Sequence, residues 1–333
     1  MRNSKILAAA VAVAALALTG CAGNAAGSGT GASKAASSLG RIEIIAPAAP
    51  GSGWDQTARA VQDALQKESL VSSAQVNNVP GASGTVALAQ VAPQQGKKDT
   101  LVASGLAMMS GVITNGTEVT LKDLTPIARL LGDREMIVVP KDSAYKTLDE
   151  LFAAVKASPK SIAFAGGSAG SADHIFIGLL AQEYGINPAE INYVPFSGGG
   201  EAATALLGNK VQAGVAGVGE FASQVAAGNL KGLVVSSAKR ADGVDVPSIA
   251  EAGHPGLEFA NWRSVMAPGG ISDKEKEAYI AALTTMSKSQ TWKDALAKNS
   301  WGDLFLAGDE FGTWLEAENT RVKGVLETLG LAK

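Results

Sequence analysis

From Arg41 onward the chain alternates short β-branched runs with longer stretches in which apolar residues recur every three or four positions. The extended run at residues 41–46 gives way to a Gly/Pro loop over residues 47–55. A helical period follows over residues 56–67 through Ala60, Val61, Ala64 and Leu65. The same reading predicts a second strand at residues 74–79, a turn at residues 80–84 opening a helix to Val91, and a third strand at residues 101–104. One or two strands are expected across residues 127–139. Helices at residues 148–157, 172–184, 201–207 and 220–227 then interleave with strands at 161–165, 192–194, 213–218 and 231–236. A late strand at residues 262–267 precedes helices at 272–288, 290–297 and 309–329.

This recurrence predicts an α/β fold with mixed, mainly parallel sheets. The first crossing between domains is expected at Pro140, and the return across residues 236–246, which are rich in Gly and Asp. The expected division is a discontinuous domain, residues 41–139 plus 240–333, and an inserted domain, residues 140–239. A cleft between two such domains is the natural ligand site.

The first 40 residues do not follow this pattern. Arg2 and Lys5 precede an uncharged apolar run over residues 6–18, short of the roughly 20 residues a spanning helix needs. It reads as the core of a signal peptide over residues 1–20. The run ends in Leu18-Thr19-Gly20-Cys21, which has the form of a bacterial lipobox, and Cys21 is the chain's one cysteine. Cys21 is the expected lipidation site, and residues 21–40, almost wholly Gly, Ala, Ser and Thr, are the expected flexible tether. The expected location is extracytoplasmic, anchored to the membrane as a lipoprotein.

Composition narrows the function classes. The 333 residues suggest two domains, and 46% hydrophobic with 18% charged residues exclude global disorder. Lys and Arg total 28 against 31 acids, so nothing suits the chain to neutralise nucleic-acid phosphates. One Cys and two His leave no disulfide framework and no Cys/His metal cluster. No metal and no cofactor are expected.

The candidate chemistry sits in four loops, each between a strand and a helix: Pro50-Gly51-Ser52-Gly53-Trp54-Asp55, Pro80-Gly81-Ala82-Ser83-Gly84-Thr85, Gly166-Gly167-Ser168-Ala169-Gly170-Ser171 and Phe196-Ser197-Gly198-Gly199-Gly200. Unpaired N–H groups at helix starts, backed by the helix dipole, favour anions. None of the four loops carries Lys or Arg, so the anion they suit is a carboxylate held by dipoles and hydroxyls rather than a nucleotide triphosphate. The candidate ligand-binding residues are Ser52, Gly53, Trp54, Asp55, Ser83, Gly84, Thr85, Ser168, Ser171, Ser197, Gly198 and Gly199; none is expected to be catalytic. Asp55 is either a helix N-cap, an organiser of its loop or a ligand contact.

A competing motif is present. Gly166-Gly167-Ser168-Ala169-Gly170 matches a G-x-S-x-G nucleophile elbow, with Asp245 and His254 following in the order a hydrolase uses. A secreted serine esterase built on Ser168 is therefore the alternative from another class. His174, on the helix after that loop, is read as a packing or capping residue, with direct ligand contact as the alternative.

The chain resembles the tripartite tricarboxylate transporter substrate-binding proteins, the TctC or Bug family of extracytoplasmic solute receptors. The resemblance rests on Pro50-Gly51-Ser52-Gly53-Trp54-Asp55 with Ala58-Arg59, on Asn78-Val79-Pro80-Gly81-Ala82-Ser83-Gly84, on Tyr193-Val194-Pro195-Phe196-Ser197-Gly198-Gly199-Gly200 and on Ala205-Leu206-Leu207-Gly208. It implies a two-domain periplasmic-binding-protein fold (type II, flytrap) closing over a small carboxylate, a di- or tricarboxylate such as citrate. It further implies delivery to a permease of one large and one small integral membrane subunit by a monomeric receptor. An amino-acid or aromatic-acid receptor is the alternative within the class. Ser52 stands where that family commonly has Gly, and Trp262-Arg263-Ser264 where it commonly has Trp-Tyr-Gly; Arg263 either meets a second carboxylate or forms a salt bridge.

Overall fold

A computed structural model of the chain describes residues 39–196 and 199–332. The expected signal peptide and Cys21 lie outside the described residues, as do Ser197, Gly198 and all of the expected tether but its last two residues. Among the described residues no helix is long and apolar enough to cross a membrane.

The elements run β1 (Leu39–Ala46), α1 (Gly53–Lys67), β2 (Val71–Asn78), α2 (Thr85–Val91), β3 (Thr100–Gly105), α3 (Leu106–Asn115), β4 (Leu124–Asp133) and β5 (Glu135–Pro140). They continue with α4 (Leu148–Ala157), β6 (Ala163–Gly166), α5 (Ala172–Glu183), β7 (Asn192–Pro195), α6 (Gly199–Leu207), β8 (Ala213–Gly217), α7 (Val218–Ala226) and β9 (Leu230–Val235). The chain closes with β10 (Asn261–Pro268), α8 (Asp273–Lys288), α9 (Gln290–Lys298), β11 (Gly302–Ala307) and α10 (Gly308–Thr328). β1 begins at Leu39, so the last two residues of the expected tether belong to a strand, with Leu39 opposite Val71 of β2.

The strands form two sheets, ordered β11-β4-β10-β3-β1-β2 and β7-β6-β8-β5-β9. The α/β class is as expected, but the sheets are less parallel than the strand–helix alternation suggested. Parallel pairing is confined to β1 with β2 and β3, and to β6 with β7 and β8. The other five pairings are antiparallel. The cause lies in the strands that carry the chain between sheets: β10 inserts between β3 and β4 and runs against both, and β5 runs against β8 and β9. The first passage occurs at Arg134, before the expected Pro140, because Glu135 already pairs with Gly217 of the second sheet. The return occupies residues 236–260.

Two elements escaped the periodicity. α3 is apolar almost all round and interrupted by Gly111, so no polar stripe marks its period. β11 is a short strand on the sheet edge, tucked between two helices, with a register irregularity against β4.

Burial follows the layers. Ile42, Ile44, Leu101 and Val265 of the first sheet pack against Val61 and Leu65 of α1, Tyr279 of α8 and Trp292 of α9. Met136 and Val138 of the second sheet pack beneath Leu206 of α6 and Phe221 of α7. A third apolar cluster joins both sheets: Ile45, Val102 and Met266 of the first connect through Met109 of α3 and Phe311 and Val322 of α10 to Phe164 of the second and Phe176 of α5 beside it. α10 touches β4, α3 and α5.

Candidate functional site

The first loop starts α1. Ser52 takes the extended N-cap conformation, with φ −75° and ψ 168°, but its side chain makes no capping bond. Its Oγ is buried and has no hydrogen-bond partner among the described residues. That is an unused donor at a helix start, where a ligand anion is favoured. Asp55 is not the cap. It lies inside the first turn, 2% exposed, and accepts from the Gly51 amide at 2.8 Å, Asn78 Nδ2 at 2.9 Å and Arg59 Nε at 3.0 Å. Burial alone would raise its pKa; the bonds from Arg59, Gly51 and Asn78 outweigh burial and hold it at about 2. Asp55 thus ties the first loop to the end of β2 as a permanent carboxylate.

Four successive residues of the second loop, Gly81, Ala82, Ser83 and Gly84, have positive φ, from 46° to 138°. Two of them carry side chains, at roughly 1–2 kcal/mol each for the left-handed region. Strain of this kind persists only where the surroundings impose it. Here Trp54 of the first loop supplies the wall: a Cβ at Gly84 would lie 3.0 Å from Met108 Cε and 3.1 Å from the Trp54 ring. Trp54 is partly buried against the core, so it packs the first loop onto the second. Ser83 is exposed, whereas the Thr85 hydroxyl is already committed to the Ala82 carbonyl at 2.8 Å.

The third loop opens α5. Ser168 is exposed, and Ser171 is the N-cap, though its Oγ is 3.5 Å from the His174 amide, a weak contact. His174 is stacked on Tyr193, with centroids 4.0 Å apart, and its Nδ1 accepts from the Gly170 amide at 3.2 Å. Burial lowers its pKa to about 4, so the ring stays neutral and keeps that lone pair. Asp173 accepts from the Gly167 amide at 2.5 Å, and the Tyr193 hydroxyl donates to the Gly167 carbonyl at 2.7 Å. These contacts fix the third loop around its own helix start. Of the fourth loop, Gly199 is buried at the start of α6, and a side chain there would collide with Glu220 Oε2.

The first three loops meet through named contacts. Trp54 joins the first to the second. α3 joins the second to the third: Ser83 packs on Gly111, and Ser110 Oγ donates to the Gly170 carbonyl at 2.6 Å. Arg263 of β10 donates to the Gly53 carbonyl at 3.2 Å and forms an ion pair with Asp133 at the passage between sheets. Asp133 and Asp173 both bear on Glu135, and Glu220, against Gly199, does so as well.

Sequence reasoning gave no role to Asp133, Glu135, Asp173, Glu220 or Ser110. Glu135 follows Gly132-Asp133-Arg134 and precedes the apolar run at residues 136–139, so nothing in the sequence set it apart from a polar turn. The serine-esterase triad does not assemble: Asp245 is paired with Arg240 at 2.6 Å, and the His254 ring contacts Tyr184, Glu183 and Asp149. A separate apolar groove of about 570 Å³ between α3 and α10, lined by Met109, Ile113 and Leu315, includes none of the candidate residues.

Comparison with known proteins agrees with this architecture. The family described as "Tripartite tricarboxylate transporter family receptor" matches residues 57–331. Protein BugT of Bordetella pertussis is 29% identical over 299 residues, 87% of this chain and 89% of that protein. A TctC solute-binding protein from Polaromonas, solved without ligand, superimposes with a TM-score of 0.76 at 28% identity, covering 87% of this chain and 99% of that one. An R. palustris protein solved with adipate superimposes with a TM-score of 0.71 at 22% identity, covering 88% and 98%.

Proposed function

Since the chain belongs to the tripartite tricarboxylate transporter family of receptors, we propose that its four glycine-rich loops capture a small carboxylate of the di- or tricarboxylate class for transfer to a membrane permease. As a member of that family it is an extracytoplasmic solute-binding receptor and not an enzyme. The observation that carries the ligand class is the contact chain linking the loops. Trp54, Ser110 and Arg263 link helix starts from both sheets, and the Ser52 hydroxyl has no hydrogen-bond partner among the described residues. Amide and hydroxyl donors with no lysine or arginine in the loops suit a carboxylate. The adipate bound by the R. palustris protein of like fold supports the same class.

In this reading the two sheets are the cores of two lobes, with the division near Arg134 and within residues 236–260. Donors from both lobes favour the closed state, because closure adds contacts. Ser52, Gly53, Ser83, Gly84, Ser168, Ser171, Ser197, Gly198 and Gly199 form the lining, while Trp54, Asp55 and Thr85 shape it. Cys21 carries the lipid that holds the receptor beside a permease of one large and one small subunit.

Thermal unfolding of the full chain against a panel of di- and tricarboxylates tests the ligand class. A true ligand at 100-fold its dissociation constant adds about 2.7 kcal/mol, a rise of roughly 5 °C for a body of this size. A flat response to the whole panel would remove the reading.

A further inference from the structure

Two arginines line one pocket beside the passage between the sheets, and the protein gives them few acceptors. The pocket has a volume of about 310 Å³ and is bordered by β11, α10 and the return segment. Arg129 of β4 and Arg134, the residue after that strand, both line it, and both are half-buried. Arg129 is fixed on two sides. Its Nε donates to the Leu304 carbonyl at 2.8 Å, and its guanidinium lies 4.1 Å from the centre of the Trp314 ring. Both of its terminal amino groups are left without an acceptor among the described residues. Arg134 lies across Gly302 of β11, where a Cβ would come within 3.1 Å of the arginine Nε. Its side chain makes no hydrogen bond or ion pair with any described residue. The unpaired nitrogens of both arginines are not sealed from solvent.

The acids that border the pocket do not answer these charges. Glu318 accepts from Arg321 Nε and a terminal amino group at 2.8 Å each, and from Trp262 Nε1 at 3.2 Å. Glu258 is exposed at the rim and forms no ion pair with Arg134. Burial lowers the pKa of both arginines, yet a guanidinium remains charged. Two partly buried like charges on one cavity destabilise the fold unless an anion joins them. We propose that this pocket binds a dianionic phosphate group, free or as a small monoester, between Arg129 and Arg134.

Two guanidiniums match two negative charges, and a phosphate monoester carries about −1.5 to −2 near neutrality. Arginine forks pair with phosphate oxygens two at a time, and the terminal amino groups of Arg129, held against Trp314, are free to do so. Trp262 and Trp314, edge to face at 5.2 Å, give the rest of the pocket an aromatic wall suited to the organic part of a monoester. Arg134 is on the first passage between the sheets and Phe259 on the return, so both connections border the pocket. None of the loop residues assigned to the carboxylate lines it, and the inference stands apart from that reading.

The test is calorimetric titration of the full chain, at fixed ionic strength, with inorganic phosphate, glycerol phosphate and succinate. The expected result is binding of phosphate or its monoester with a dissociation constant below about 1 mM, weakened at least roughly 10-fold in Arg134→Gln. Tighter binding of glycerol phosphate identifies a monoester as the source; equal affinities identify the free anion. The Arg134 guanidinium holds no other part of the protein, so the melting temperature of Arg134→Gln without phosphate should not fall. Arg134→Lys keeps the charge without the fork, and should bind phosphate more weakly than the natural chain but better than Arg134→Gln. No binding of either phosphate below about 10 mM, or equal binding by the natural chain and Arg134→Gln, overturns the inference. Succinate binding unchanged in Arg134→Gln supports two separate sites. Succinate binding lost together with phosphate binding places the carboxylate in this pocket, and overturns both this inference and the loop reading.

Discussion

Ser110 of α3 donates its hydroxyl to the Gly170 carbonyl at 2.6 Å, linking a helix that follows the first sheet to a loop that follows the second. Ser110 is 3% exposed, so no water replaces the bond when it is lost. Ser110→Ala is expected to cost about 1–2 kcal/mol, since a buried acceptor is left unpaired. The urea midpoint should fall accordingly, and amide exchange around Gly170 should accelerate more than exchange in the core of β1.

Two glycines should answer to alanine with opposite signs. At Gly84 the backbone is left-handed, with φ 86°, and a Cβ would press on Met108 and Trp54. Gly84→Ala should destabilise by about 2–3 kcal/mol and weaken ligand binding, because the second loop and Trp54 move together. Gly200 lies in α6 with open space around it. Gly200→Ala should leave stability unchanged or raise it by up to about 1 kcal/mol. Thermal melts of the two variants decide this.

Arg263 and Asp133 form an ion pair with side chains 12% and 24% exposed. Arg263→Ala leaves Asp133 half-buried and alone, and should cost about 2–3 kcal/mol. Adding Asp133→Asn should return part of that loss, because the orphaned charge disappears. A double-mutant cycle measures the coupling.

Acid should loosen the third loop before the first. The unfolded His174 ring takes up a proton near pH 6.5, the folded ring only near pH 4. As pH falls across that interval, protonation therefore favours the unfolded chain, by up to about 3 kcal/mol at the bottom of it. Asp55, held at about 2, keeps its contribution through this range and loses it only as pH falls from about 4 toward 2. His174→Asn should flatten the loss between pH 6.5 and 4; an unchanged pH profile would contradict this account.

The alternating elements were legible because their apolar periods are simple. Residues 148–157 and 172–184 read as helices and fold as α4 and α5 within a residue. α3 was not legible, since a helix buried on most sides shows no period, and with it went Ser110, the residue that joins the second and third loops. The loops themselves were readable as Gly-rich helix starts. What they contact was not, because Arg263, Asp133, Glu135 and Glu220 lie on other elements and meet only after the strands cross between sheets. The esterase motif shows the same limit from the other side: Ser168, His254 and Asp245 have the right order in sequence, yet Arg240, Tyr184, Glu183 and Asp149 claim the last two.

α10 meets β4 and α3 in its first half, where Arg129 lies over Trp314 and Leu315 shares a groove with Met109, and meets α5 near its end, where Gln182 donates to Thr328 Oγ1 at 3.2 Å. A helix braced at both ends cannot stay in register with both neighbours when the gap between them widens. If the seam closes on a ligand as proposed, the change is expected as a tilt or slip along the 21 residues of α10. Under the proposed closure, a fluorescent reporter on the exposed side of α10 is expected to read occupancy without touching the ligand.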